Sequence, residues 1–361
     1  MKGIPENPKA WLYTVAKNRA KDQFKRKDLF KEKIIPYLIY DQPLIAELHL
    51  NFEEHHLNDS LLQMMFTICN PILNIEAKLS LGLRVLCGFS IDEIATALLT
   101  NKSTINKRLV RAKKKLRDHN IKIEFPNEQD IIRRQDDVLL LLYLLFNEGY
   151  FSNSTSTKIR KDLCYEAMRL THLLTQNKKT NTPETNALIA LFCFHTSRFE
   201  ARTDEEGNQI LYKNQNKEKW NFELIEKGEL YLFYSKSKGG LSHYHLEALI
   251  AFWHTRTEID EKEKWKKILF LYDKLIAIEN SPITILNRTF ALAKVKGKKI
   301  AIKDAKKIDL KGNHLYHSLL ADLYHEINTT QEIVHLKKAI ALATNENDKL
   351  VLEKKLKEAI Q

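Results

Sequence analysis

Apolar residues recur at three- and four-residue spacing along most of this chain, and the alternation that marks strands is scarce. The sharpest pattern runs from Ser90 to His119. Ile91, Ile94, Ala95 and Leu98 share one helical face, and Ser90 with Glu93 has the spacing of a capping box. Thr100-Asn101-Lys102 interrupts the pattern with turn-type residues. A second stripe follows at Ile105, Leu109, Ala112 and Leu116, with Ser103 as its expected cap. Two short helices and a tight turn are therefore predicted. Upstream, Leu57–Ile68 and Ile75–Gly88 read as further helices, the second stopped by Gly88. Together they predict a compact four-helix domain over 57–122.

Beyond Phe125-Pro126-Asn127 the pattern is a succession of amphipathic helices joined by short polar stretches. These are expected over Gln135–Phe146, Lys158–Gln176, Pro183–Arg198, Trp220–Ser235, Ser242–His254 and Lys262–Glu279. Pro282–Lys296 and the pair His314–Ile327 with Thr330–Ala343 follow, close to tetratricopeptide spacing. The fold class expected is all-α, with residues 130–361 forming an array of helical hairpins. Such arrays bind partners on a concave face, and plain scaffold packing is an equal reading. Asn147-Glu148-Gly149-Tyr150 is the most site-like feature of this extension, and it reads more simply as a helix end capped by Gly149. At the front, Asn7-Pro8 starts an amphipathic helix with Trp11, Leu12, Val15 and Ala16 on its apolar face. Residues 36–56 read as a linker.

Charge changes this picture. The chain carries +12, but Met1–Lys33 has ten basic and four acidic residues, and Asn101–Lys122 nine and one. The rest is slightly acidic. A footprint of this kind points to nucleic acid more firmly than overall basicity does. Lysine, isoleucine and asparagine are abundant throughout, so lysine count alone carries little. On the second helix of the pair, Lys107, Arg108, Arg111, Lys113, Lys114, Lys115 and Arg117 lie off the apolar stripe. That is the plan of a helix-turn-helix with its recognition helix second.

Other chemistry is thinly supported. Cys69, Cys87, Cys164 and Cys193 are scattered among apolar residues and form no CxxC pair. They read as small buried hydrophobes in a reducing compartment. His55-His56, His243-x-His245 and His314-x-x-His317 lack the companions of a zinc site. There is no phosphate-binding glycine loop and no nucleophile elbow. Gly239-Gly240 reads as a turn between helices. No cofactor, metal or catalysis is implied, and no apolar run reaches membrane-spanning length.

The stretch LSLGLRVLCGFSIDEIATALLTNKSTINKRLVRAKKKLR resembles region 4 of a bacterial sigma factor, which reads the −35 promoter element. NPKAWLYTVAKNRAKDQFKRK resembles the end of region 2, the −10 reader. The resemblance is to the extracytoplasmic-function group. YLLFNEGY, the Asp162-Leu163-Cys164-x-Glu166-Ala167-x-Arg169-Leu170 stretch and LNRTFALA resemble the long, tetratricopeptide-like extension of one branch. The resemblance implies a cytoplasmic, non-enzymatic subunit that binds core RNA polymerase, at the β flap and β′ clamp, and promoter DNA. It implies a region 2 remnant over 1–35, and a partner or regulator on the extension. Carried over residue by residue, Lys102, Ser103, Thr104, Asn106, Lys107, Arg108 and Arg111 face DNA at −35, with Asn106 and Arg108 best equipped to read base edges. Arg84 would sit on the flap-facing surface. Asn18, Arg19 and Lys21 are the −10 candidates. Family members have further region 2 helices before this point, so the sequence is expected to start inside region 2, a degenerate sigma factor being the alternative. A transcription regulator working without polymerase and a ligand- or partner-binding repeat protein are the alternatives.

Overall fold

The computed structural model describes residues 51–360, apart from 99, 125, 151–159, 203, 205–209, 211, 238 and 345. The expected helix around Trp11, with Asn18, Arg19 and Lys21, lies outside the described residues. All regular structure among those described is helical, as the 3.6-residue periodicity requires. The described residues fall into two compact units, one of 51–150 with 160–189 and one of 190–360.

The first unit opens with α1 (Asn51–Ile68) and α2 (Ile75–Leu81), the latter running into a π-helical turn, Gly82–Leu86. Gly88 then takes φ +67°, a left-handed value that glycine adopts without steric penalty, and ends the helix where the sequence placed its stop. Next come α3 (Ile91–Ala97) and α4 (Lys102–Asp118). α5 (Glu128–Tyr150) begins seven residues earlier than its apolar pattern. Asn127 supplies the start, its Oδ1 accepting from the Asp130 N–H at 2.9 Å. α6 (Lys161–Gln176) packs along α5. α7 (Pro183–Thr196) follows.

Gly149 does not cap α5. The helix continues to Tyr150, and an alanine Cβ at 149 would sit 2.8 Å from the Arg160 carbonyl oxygen, Leu163 Cβ and Cys164 Sγ. The glycine is there because α6 starts against it. The Arg160 N–H donates to the Gly149 carbonyl at 2.9 Å. Gln135, buried in the same unit, donates through Nε2 to the Thr180 carbonyl and to Thr185 Oγ1.

The second unit continues through α8 (Phe199–Arg202), α9 (Phe222–Tyr234), α10 (His243–Thr255), α11 (Glu261–Ile278), α12 (Pro282–Lys296) and α13 (Lys298–Ala305). It ends with α14 (His314–Tyr324), α15 (Thr329–Leu342) and α16 (Glu346–Ile360). From α10 onward each helix packs against its predecessor. The core therefore passes along the array: Ile250, Trp265 and Ile268 early, Ala301, Leu319 and Leu320 next, and Leu336, Ala339 and Leu352 last. Arg288 on α12 ties its neighbours, reaching Asp273 on α11 at 2.6 Å and Asp304 on α13 at 2.8 Å.

Two histidine groupings resolve into local structure. His245 fills the capping box of α10, with Nδ1 at the Ser242 backbone N–H and Nε2 at the Ser235 carbonyl. His314 lies beside Asp348, whereas His317 meets His335. All four cysteines are buried and free, and burial pushes the Cys193 thiol up to about 12.

Candidate nucleic-acid interface

α3 is entered through the box read from the sequence. The Ser90 N–H donates to Glu93 Oε2 at 2.8 Å, and the Glu93 N–H to Ser90 Oγ at 3.2 Å. The turn that follows closes on α3 itself, with the Thr100 N–H donating to the Ala95 carbonyl. α4 is capped by Asn101 rather than Ser103. Asn101 has extended backbone angles, and its Oδ1 accepts from the Thr104 N–H at 2.8 Å. Ser103 is already helical, and its hydroxyl donates to the same Oδ1. Thr100, Asn101 and Ser103 each have the chemistry to cap; the backbone geometry selects Asn101.

Ile105, Leu109 and Ala112 are buried and fasten α4 to α2 and α3. Each residue of an α-helix advances the wheel by about 100°. Opposite the buried stripe this places Ser103, Lys107, Val110, Lys114 and Arg117 in line along the helix. All five are exposed. Asn106 and Lys113 flank that line on one side, and Arg111 and Thr104 on the other; Thr104 is half-buried. Arg108 lies nearest the packed side and is half-buried too. Lys102, at the first turn, forms an ion pair with Asp92 of α3. The seven candidates on α4 thus do not form one surface. Ser103, Asn106, Lys107 and Arg111 form the outward face, while Thr104 and Arg108 border the protein and Lys102 is tethered.

Two features, one on this face and one in the turn before α3, are not legible in the apolar stripe alone. Val110 is 66% exposed in its middle, an apolar contact among cations. Arg84 is engaged within the domain, its Nη1 donating to the Phe89 carbonyl at 2.7 Å, which holds the turn ahead of α3. The first could have been found by plotting the helical wheel; the second depends on tertiary geometry.

A helix of this charge, rigidly docked by its apolar stripe and free on its other side, can enter a major groove and neutralise phosphates. Among the described residues no group of three or more His, Cys, Asp or Glu is placed to hold a metal ion. No described helix is long and apolar enough to cross a membrane.

The fold and the basic face define a helix-turn-helix DNA-binding domain. Comparison with known proteins agrees on the segment and on the class. Residues 76–116 match the sigma-70, region 4 family, and residues 134–236 match a family of unknown function, DUF6596. An uncharacterized protein of Rhizobium meliloti (strain 1021) is 31% identical over 352 residues, covering 96% of this chain and 82% of its own length. No solved structure matches. The chain belongs to the family of that rhizobial protein, and it carries a sigma-70 region 4 domain, which supports a DNA-binding role in transcription.

Proposed function

We propose that the protein is a promoter-specificity subunit of RNA polymerase of the extracytoplasmic-function group. It would bind core polymerase and direct it to a subset of promoters, with no catalysis of its own. The observation that carries this reading is a coincidence in space: the region 4 match spans the helix pair whose second member turns a predominantly basic face outward. In this reading α4 lies in the major groove at −35. Asn106 and Arg111 read base edges, Lys107 and the lysines beyond it hold phosphates, and Ser103 with Lys102 fixes the entry of the helix. Arg108 and Thr104 line the border of the contact.

The remaining parts follow the family plan. Residues 1–35, with Asn18, Arg19 and Lys21, serve as the −10 reader beside the β′ clamp. Residues 36–56 link to region 4 at 57–122, whose α2 surface meets the β flap. Residues 130–361 form a tetratricopeptide-like extension that engages a partner or regulator. The protein works in the cytoplasm, where polymerase is. Affinity capture of core RNA polymerase by the full chain tests this. A stable, stoichiometric complex is expected. DNA binding with no polymerase capture would instead make the protein a regulator acting alone.

A further inference from the structure

Between α14, α15 and the turn before α14 lies a cleft of about 470 Å³, within the size range of small-molecule sites. It is lined by Lys311, Tyr316, His317, His335, Lys338 and the apolar pair Ala341 and Leu342. No carboxylate is among these residues. Two histidines from different helices meet there, with Nδ1 of His317 3.0 Å from Nδ1 of His335. Tyr324 stacks on the His335 ring at 5.7 Å and 6°.

The protons of this pair follow from its partners. Nε2 of His317 is 3.0 Å from the Lys311 carbonyl, which only accepts, so that nitrogen carries hydrogen. In the neutral ring Nδ1 of His317 is then an acceptor, and His335 must donate to it through its own Nδ1. Nε2 of His335 is left as the bare nitrogen. The surroundings hold the pair neutral. Burial, His317, Lys338 and Lys306 press His335 down to about 4, and burial with Lys338 lowers His317 against the Lys311 carbonyl. Of the carboxylates on the helices around the cleft, Asp348 is engaged with His314, Asp322 with Lys355, and Glu332, one turn from His335 on α15, with His325.

We propose that this cleft binds a small-molecule oxyanion, a phosphate ester or a carboxylic acid, through Lys311, Lys338 and His335, with its apolar part against Leu342 and Tyr316. A bound anion supplies the negative charge that the lysine pair lacks, and it allows His335 to take a proton on Nε2 and donate. A metal ion is a poor fit, because no carboxylate lines the cleft and two lysines do.

The test is calorimetric titration of the full chain with inorganic phosphate and, separately, butyrate, in two buffers of different ionisation heat. Saturable one-to-one binding of at least one anion is expected, and the stronger binder identifies the headgroup. Lys311→Ala and Lys338→Ala, both at exposed positions, should each weaken it about tenfold, the scale of one charge-assisted hydrogen bond. Lys338→Arg should restore most of it. Proton uptake on binding should disappear in His335→Phe, which keeps the ring stack. The proposal is overturned if neither anion binds saturably, or if both alanine variants bind like the parent chain. Zinc binding lost in His335→Phe, with no anion bound, would also overturn it.

Discussion

Lys78 Nζ lies 2.8 Å from Asp137 Oδ2, and the lysine side chain is only 7% exposed. The pair joins α2, inside the region 4 match, to α5, inside the DUF6596 match. Close packing accompanies it: an alanine Cβ at Gly82 would lie 3.2 Å from Leu141 Cδ1. The DNA-binding helices and the first helix of the following segment thus share one core. Lys78→Ala leaves the Asp137 carboxylate half-buried without its cation. Breaking fully buried pairs costs about 3–5 kcal/mol; with Asp137 partly solvated we expect about 2 kcal/mol, read as a lower Tm. Asp137→Asn should cost as much or more, because it strands the buried ammonium. Unchanged melting in both variants would show that the pair contributes nothing.

Gly149→Ala should destabilise the protein by about 1–3 kcal/mol, because the new methyl group meets backbone and side chain of α6 at once. Gly239→Ala is the control. Its Cβ would meet only Ser237 Oγ at 3.4 Å, and little change in Tm is expected.

Glu148 provides a pH test. Burial raises its carboxyl from the ordinary 4.5 to about 7, with Arg160 opposing. The folded protein therefore holds a proton that the unfolded chain has released between those values. Its contribution to stability is full below pH 4.5 and declines as pH rises to about 7. Glu148→Gln should raise Tm above pH 7 and leave it nearly unchanged below pH 4.5. A gain of equal size at both ends would mean that the side chain acts through packing.

How much of this was legible in the sequence depends on the range of the interaction. The Ser90–Glu93 box and the stripe of Ile105, Leu109 and Ala112 on α4 are local, and both are legible in the sequence; Leu116, the last of the expected stripe, is half-buried. Asn101 was taken for a turn residue because Asn, Ser and Thr compete as caps and only φ and ψ decide among them. The start of α5 was hidden because its first two turns are mostly polar. Gly149 followed Asn-Glu and resembled a helix stop, but its cause is the close approach of α6, which no local pattern reveals. His317 was grouped with His314 by sequence spacing, whereas its partner is His335, eighteen positions on. Val110 was passed over as part of a charged stretch, though the wheel places it in the centre of the outward face.

The order of exposure on α4 predicts different behaviour at different positions. Lys107→Ala and Lys114→Ala should weaken DNA binding evenly across sequences and lower the salt slope by about 1 each. Asn106→Ala and Arg111→Ala should cost about 1–3 kcal/mol and relax sequence preference. Arg108→Ala, at the packed border, should lower Tm more than it alters preference. Competition binding against sequence-scrambled duplexes separates these outcomes.

In the proposed function α4 gives promoter specificity to a polymerase. Run-off transcription with core RNA polymerase, the full chain and a promoter selected by that holoenzyme tests it most directly. The parent chain should start transcription at one site, and the Asn106→Ala/Arg111→Ala variant should lose it while still binding polymerase. Transcription that persists undiminished in that variant, or a parent chain that binds no polymerase, would contradict the account.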